Sequence, residues 1–334
     1  MARRALSQKC LTLVQCLEST VPVAIANSGM GNCRIGLSGG ADSLALTAAM
    51  AWARDHRSGP LAGVDVSARV IDHGLQPGSH DVAVQAAQQA KDLGIDGEVV
   101  QVEVDPTHGG MEAAAREVRY AALAGGPPAL ILLAHTLDDQ AETVLLGMAR
   151  GSGVRSLAGM PARRDQIVRP FLTIRRADTQ QACRDWGLDW WQDPANEDPS
   201  YARSRVRSAM DTLDQVLGPG LAEGLVRTAD LCREDADFLD DLVDQARVDP
   251  TQPTLDVPTL IALDTPIRHR LLLRWLRHPN PDGVTRTHVL AVECLLTDWH
   301  GQKAVSIPGG HVTRENGRLI RSTTSFSGPT TARD

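Results

Sequence analysis

The chain reads as an α/β protein: a doubly wound sheet of five parallel strands, followed by a smaller, mainly helical C-terminal domain that ends in a β-hairpin. Three observations predict it. Short apolar or alternating runs recur between helix-patterned segments from residue 33 to residue 172, the alternation that builds a parallel sheet. The pattern stops after Trp190-Trp191-Gln192-Asp193-Pro194, where a polar, arginine-rich segment begins. The charge then changes sign: residues 211–265 carry thirteen acids against Arg227, Arg233 and Arg247, whereas residues 266–334 carry ten Arg and Lys against five acids.

Taken in order, residues 1–30 read as a helix and loop. Cys33 to Leu37 is a short apolar run and the first strand, and Leu44, Leu46, Ala48 and Ala49 continue a small-residue helix to about Arg57. Val64, Val66, Ala68 and Val70 alternate, so a second strand ends at Ile71-Asp72-His73-Gly74. An alanine-rich helix spans Asp81 to Leu93, and Val100, Val102 and Val104 alternate as a third strand. Glu112 to Leu123 is helical, Ala129 to Ala134 is a buried strand, and Leu137, Ala141, Val144, Leu145 and Met148 repeat at helical spacing. Ile167 to Leu172 supplies the fifth strand. In such sheets ligands sit beyond the carboxyl ends of the strands, where Ser38, Asp72 and His135 fall. The expected division is a sheet domain over 1–210, a helical linker over 211–245, an accessory domain over 246–325 and a disordered tail over 326–334.

The first βα turn, Gly36-Leu37-Ser38-Gly39-Gly40-Ala41-Asp42-Ser43, carries the strongest local signal. Glycines there permit unusual dihedrals and close backbone approach. A helix start then offers unpaired amides and a positive dipole end to an anion. Ser38 and Ser43 add hydroxyls, and Asp42 adds a carboxylate able to hold a metal against phosphates. The lysine of a P-loop is missing, and the spacing of a dinucleotide-binding turn fails. The stretch matches the hydrolase elbow G-x-S-x-G, but it follows the first strand, and His108-Gly109-Gly110 comes after the serine rather than before it. A glycine turn without a ligand is the remaining alternative.

Composition is that of an ordinary globular protein, with 42% apolar residues and a net charge of −7. Cys10, Cys16, Cys33, Cys183, Cys232 and Cys294 form no C-x-x-C pair, which argues against a zinc or iron–sulfur site and a disulfide framework. The N-terminus has basic residues with no continuous apolar stretch behind them, so neither a signal peptide nor a membrane span is expected. Reduced thiols suit a cytoplasmic protein.

A second constellation opens the helix after the fourth strand: His135-Thr136-Leu137-Asp138-Asp139-Gln140-Ala141-Glu142-Thr143. His135, Asp139 and Glu142 lie at i, i+4 and i+7. Thr136 can cap the helix, and acids in a first turn complement its dipole by ~0.3–1 kcal/mol each. A cap accounts for one acid or two; three with a histidine point to metal or amine binding.

The first turn resembles the Ser-Gly-Gly-x-Asp-Ser loop of the PP-loop ATP pyrophosphatases, and the later motifs resemble one family among them, the tRNA(Ile)-lysidine synthases. The matching stretches are Ser38–Ser43, Ile71-Asp72-His73-Gly74-Leu75, Ala115-Arg116-Glu117-Val118-Arg119-Tyr120, Ala134 to Thr143, Arg150-Gly151-Ser152-Gly153, Arg169-Pro170-Phe171-Leu172, and Asp193-Pro194-Ala195-Asn196 with Arg203, Arg205 and Arg207. They cover residues 30–210. Thr136 stands where the family often has a second histidine, Gln76 replaces a frequent arginine, and one small accessory domain is expected, as in the short forms, without the extra C-terminal domain of longer members.

The resemblance implies a PP-loop (adenine nucleotide alpha-hydrolase-like) fold and ATP-dependent ligation of free L-lysine to the wobble cytidine of the CAU anticodon of tRNA(Ile). ATP and Mg²⁺ are then the expected cofactors. Ser38, Gly39, Gly40, Ala41, Asp42 and Ser43 would hold ATP, with Mg²⁺ on Asp42. Arg116 would stabilise charge at the transferring centre, with Asp42, Asp138 and Asp139 as its catalytic companions. Asp138, Asp139, Glu142 and His135 would take lysine or a metal, and Asn196, Arg203, Arg205 and Arg207 would meet substrate or tRNA. Other PP-loop ligases, tRNA-thiolating enzymes and a nucleotide-binding sensor are the alternatives. The basic accessory domain, with Arg268, Arg270, Arg274 and Arg277 at helical spacing, is expected to grip tRNA. No membrane partner is implied, and the oligomeric state stays open, a homodimer included.

Overall fold

The computed structural model describes residues 6–323 except 57, 75, 77, 105–110, 152 and 279–282, with only the backbone of 111–113 and 323. The expected tail, His108-Gly109-Gly110, Leu75 and Ser152 therefore lie outside the described residues. The chain divides into two compact units, Met1–Cys232 and Arg233–Asp334.

The first unit runs α1 (Gln8–Ser28), β1 (Asn32–Leu37), α2 (Ala41–Asp55), β2 (Asp65–Asp72), α3 (Ser79–Asp92), β3 (Asp96–Gln101), α4 (Met111–Ala124), β4 (Leu130–Leu132) and α5 (Leu137–Ala149). It continues with α6 (Val154–Leu157), β5 (Arg163–Arg164), β6 (Ile167–Val168), α7 (Arg176–Trp186), a 3-10 turn at Pro194–Asn196, α8 (Ala202–Leu217) and α9 (Leu221–Gln245), inside which the division falls. The sheet order is β3-β2-β1-β4-β6-β5. The five strands β3, β2, β1, β4 and β6 are parallel, as expected.

Three details differ from the sequence expectation. β3 sits earlier, at Asp96–Gln101, because its register on β2 pairs Ser67 with Asp96 and Asp72 with Gln101. Gly97 sits there because a Cβ would come within 2.6 Å of the Ala87 carbonyl of α3. The fifth parallel strand is only two residues long, since Pro170 has no amide to donate to a ladder. The sixth strand, β5, is an antiparallel ribbon on β6 joined through Asp165 at φ 54.

From β1 the chain steps through β2 to β3 in one direction, then returns across the sheet to β4 and β6. Right-handed crossovers therefore put α2 and α3 on one face and α4 and α5 on the other. The reversal leaves a crevice at the carboxyl ends of the adjacent strands β1 and β4. Beneath it, Ile35, Leu44, Leu46, Met50, Leu130 and Phe171 are fully buried. α1 is long and apolar enough to cross a membrane by length and composition, yet Cys10, Leu13, Val14, Leu17, Val21 and Ala24 are buried in this core.

Two buried arginines hold the end of α4. Arg34 on β1 donates to the carbonyls of Leu123 (2.8 Å) and Pro127 (3.1 Å), and Arg69 on β2 donates to those of Ala122 (2.6 Å) and Gly125 (2.8 Å). These satisfy carbonyls that a helix C-terminus leaves unpaired and oppose its negative dipole end. The strands thus fix α4, and with it Arg116, Arg119 and Tyr120.

The second unit contains the end of α9, then β7 (Thr254–Asp256), α10 (Val257–Ile261), α11 (Thr265–Arg277), α12 (Arg286–Thr297), β8 (Val305–Ile307), β9 (Gly310–Glu315) and β10 (Arg318–Thr323). Its core centres on Trp275 with Leu271, Leu272, Val292, Val312 and Leu319. The expected hairpin is part of a four-stranded antiparallel sheet, β7-β10-β9-β8. Asn316 (φ 49) and Gly317 (φ 75) make its last turn, the residue pair a two-residue hairpin favours.

The α11 arginines do not form a free basic face. Arg268, 7% exposed, is locked to Glu293 at 2.5 Å. Arg270 pairs with Asp240, Arg274 with Asp240 and Asp244, and Arg277 donates to the Val284 carbonyl.

Candidate active site

The crevice is lined first by the loop after β1. Gly39 takes φ 80, a conformation that favours glycine. Gly40 caps α2 in an extended conformation without a side-chain cap. Ser43 Oγ donates to the Gly40 carbonyl (3.0 Å) and accepts from the Ser38 amide (3.1 Å), while the Ser38 and Ser43 hydroxyls are 3.1 Å apart. The turn is thus braced from within by its own two serines. The first amides of α2 have no intrahelical acceptor and point outward from the positive end of the dipole.

Asp42, one residue into α2, meets α7 and α5. Its carboxylate accepts from the Thr179 hydroxyl and lies 3.6 Å from Arg176 Nε. Burial, reinforced by Asp139 and Asp138, pushes Asp42 up to about 6 against the pull of Thr179 and Arg176.

The carboxylates opening α5 are already engaged. Thr136 and Asp139 form a capping box: Asp139 Oδ2 accepts from the Thr136 amide (2.8 Å) and hydroxyl (2.9 Å). Asp139 Oδ1 is 2.6 Å from Arg176 Nη2. Burial alone would raise Asp139, but Arg176 and Thr136 outweigh it and hold the carboxyl below its usual range. Asp138 accepts from the Arg176 amide (2.7 Å) and forms an ion pair with Arg175 (3.3 Å), which also reaches Glu223 (3.4 Å). Glu142 is 1% exposed, and its Oε1 accepts from Arg207 (2.9 Å) and Arg176 (3.4 Å). Glu142 Oε2 is buried without a hydrogen bond. Asp42, Asp139 and Glu142 thus share the Arg176 guanidinium, Asp138 holds its amide, and Arg175 and Arg207 stand at the margin. Among the described residues no three His, Cys, Asp or Glu side chains converge as a metal site.

His135 stands on the other side of this cluster, toward α4. Arg116, exposed, lies 5.0 Å over the Tyr120 ring and donates to its hydroxyl at 3.2 Å, while Arg119 lies 5.7 Å from the same ring. Burial, with Arg169, Arg119 and Arg116, outweighs Asp139 and pushes His135 down to about 3, so its imidazole is neutral. His73, after β2, is likewise lowered by burial and Arg119. Asp72 shapes that loop, accepting from the Gly74 amide (3.1 Å) and the Ser79 hydroxyl (2.7 Å). Gln76, the departure noted above, donates to Asp193 at 3.1 Å, and Asp193 caps the 3-10 turn ending at Asn196.

Of the remaining expected residues, Asn196 is exposed and Arg203 is half-buried beside Arg119. Arg205, off the face that Arg203 and Arg207 share by helical spacing, bonds back to the carbonyls of Pro199 (2.7 Å) and Ser200 (2.8 Å). The crevice therefore brings together the loop, Asp42, Asp138, Asp139 and Glu142, with Arg116 and His135 on the α4 side. Sequence reading missed Arg175, Arg176 and Thr179. A signal existed: two arginines at a helix start oppose its dipole, so they need nearby acids.

Two family models match this chain: a PP-loop domain over residues 14–213 and a TilS substrate binding domain over residues 255–320. A tRNA(Ile)-lysidine synthase of Leifsonia xyli is 48% identical over 298 residues, covering 85% of this chain and 88% of that one. Its counterpart in Mycolicibacterium paratuberculosis is 47% identical over 276 residues, covering 82% and 83%. Among solved structures, the U34-tRNA thiolase NcsA of Methanococcus maripaludis shares the fold, with a TM-score of 0.55 at 17% identity over 67% of this chain and 79% of that one.

Proposed function

The chain belongs to the tRNA(Ile)-lysidine synthase family of PP-loop enzymes, and from that premise we propose that it ligates free L-lysine to C2 of the wobble cytidine in the CAU anticodon of tRNA(Ile). The C2 oxygen attacks the α-phosphorus of ATP and pyrophosphate leaves. The lysine ε-nitrogen then attacks C2, the bond from C2 to the adenylate oxygen breaks, AMP departs and the amine sheds a proton. The modified anticodon reads AUA rather than AUG. The observation that carries this reading is the meeting of two motifs at one switch point: the amide-rich loop after β1 and the carboxylates opening α5, joined through Asp42, Thr179 and Arg176.

The amides from Gly39 to Ser43, with the Ser38 and Ser43 hydroxyls, bind and orient the ATP phosphates. Asp42 suits Mg²⁺, which typically takes one or two carboxylates together with substrate phosphates rather than a protein cage. One oxygen of Asp42 holds Thr179, while the other is only loosely paired to Arg176. When bound, Mg²⁺ supplies neutralisation of phosphate charge. Arg116 is the cation we assign to the transferring centre. Asp138 and Asp139 are committed to Arg175, Arg176 and the helix cap, so the unpartnered Oε2 of Glu142 is the carboxylate oxygen we assign to the lysine ammonium. Asn196, Arg203, Arg205 and Arg207 are assigned to tRNA or to closure over substrate.

We also keep 1–210 as the catalytic domain, 211–245 as linker and 246–325 as the accessory tRNA-binding domain, in a cytoplasmic enzyme. The test is incubation with ATP, labelled lysine and bulk tRNA, following label into acid-precipitable RNA. Label should enter only when all three are present, with AMP and pyrophosphate released. ATP turnover without lysine or tRNA dependence would overturn the reading.

A further inference from the structure

The two sides of the crevice treat charge differently. On the acidic side every carboxylate has an arginine within reach. On the α4 side three guanidiniums, those of Arg116, Arg119 and Arg169, gather around one phenol, and among the described residues no carboxylate pairs with them. Arg169 is 5% exposed; its Nη1 donates to the Pro161 carbonyl (3.0 Å), but its Nε is buried without a hydrogen bond. Arg119 Nε, His135 Nδ1 and His73 Nδ1 are buried and unpartnered as well. The Tyr120 oxygen accepts from Arg116 and interacts with Arg169, which leaves the phenol hydrogen to donate. Asp139, the acid that acts on His135, is consumed by Arg176 and Thr136.

Buried cations in native proteins are paired or bound to a ligand. These groups also converge by topology, since His73, His135 and Arg169 follow the carboxyl ends of β2, β4 and β6. We propose that Arg119, Arg169, His135 and the Tyr120 hydroxyl form an anion subsite, distinct from the loop after β1, that takes a phosphate-type oxyanion. Guanidinium forks match phosphate oxygens in pairs. A buried guanidinium (Arg169), a half-buried one whose Nε is buried (Arg119) and a third at the rim (Arg116) suit the charge of a phosphate better than a lone carboxylate. The occupant is either a phosphate of ATP or a phosphodiester flanking the target base, a choice that rests on the substrates proposed above.

The test uses the full chain as wild type, Arg119→Met, Arg119→Lys and Tyr120→Phe, without lysine. Dissociation constants for ATP, and for tRNA over a salt series, are measured beside a thermal melt. Arg119→Met should weaken one of the two by about tenfold or more, equivalent to ~1.4 kcal/mol, with Tyr120→Phe weakening the same one and Arg119→Lys restoring part. A change confined to ATP identifies the nucleotide phosphate. Weaker tRNA binding with a salt slope shallower by ~0.7–0.9 identifies the phosphodiester. Folded variants that bind both like the wild type would overturn the subsite. If Arg119→Met fails to fold, Tyr120→Phe decides. Wild-type protein that binds ATP and tRNA yet transfers no lysine would count against the lysidine reading and leave this test intact.

Discussion

Asp42→Asn should make the protein more stable while abolishing its activity. A solvated helix-cap aspartate would tolerate Asn with no change, because the two cap equally well. Asp42 is not solvated: its side chain is 25% exposed and faces Asp138 and Asp139, and burial lifts it from 3.8 to about 6. That gap corresponds to a ceiling of ~3 kcal/mol held against the folded state when Asp42 is ionised. Residual solvent access reduces it to about 1–2 kcal/mol. Asn keeps an oxygen for Thr179 and removes a charge from a cluster of four carboxylates sharing three arginines. A raised carboxyl binds its proton more tightly folded than unfolded, so the penalty is complete above about 6 and gone below 3.8. The ligand-free variant should therefore melt roughly 3–6 °C above the wild type at pH 8, with the gap closing as pH falls toward 4. Scanning calorimetry from pH 4 to 8, without ATP or divalent cations, reads this directly. A variant that melts at or below the wild type at pH 8, or a gap independent of pH, would refute the burial argument. Near-normal lysine transfer would separately remove Asp42 from the metal role.

Arg176→Met strips three carboxylates of their shared cation, so it should cost ~3–5 kcal/mol, more at pH 8 than at pH 5; thermal melts at both pH values check it, and a loss under about 1 kcal/mol would show that the pairs contribute little. Glu142→Gln should raise the KM for lysine about tenfold or more, the size of one lost charge-assisted contact, with ATP and tRNA affinities unchanged; collapse of ATP binding instead would make this a metal site. Arg270→Gln with Arg274→Gln should leave the salt slope of tRNA binding unchanged, because both arginines are held by Asp240 and Asp244. A slope shallower by ~0.7–0.9 per residue would place them on phosphates after all.

What could be read from the sequence was whatever depends on local pattern. The βα alternation sets five parallel strands and places Ser38, Asp72 and His135 at their carboxyl ends; the reversal of strand order, which brings Ser38 and His135 to one crevice, is seen only in the folded sheet. Boundaries failed where long-range pairing decides them. β3 begins at Asp96 because β2 offers its register there, and Gly97 is small for the sake of a backbone atom of α3, a neighbour invisible in one dimension. Arg163-Arg164 has no strand pattern of its own and is a strand only because β6 is beside it.

Charge was the least legible feature, and the reason is physical. Helical spacing says which side chains share a face, but not what faces them. Arg268, Arg270 and Arg274 read as a basic surface, yet α12 and α9 bring Glu293, Asp240 and Asp244 against them and neutralise it. The acids of α5 read as an open anionic site, yet α7 delivers Arg176 into their midst. The helix dipole makes the second case partly recoverable. Arg175 and Arg176 cap and begin α7, where each cation is disfavoured by ~0.3–1 kcal/mol. A chain keeps two such residues there only when tertiary partners repay the loss, and those partners must be acids near a helix start. The Asp138-Asp139 pair is the obvious candidate in this sequence. On the α4 side no carboxylate among the described residues pairs with Arg116, Arg119 or Arg169, and helical spacing gives no sign of that imbalance either.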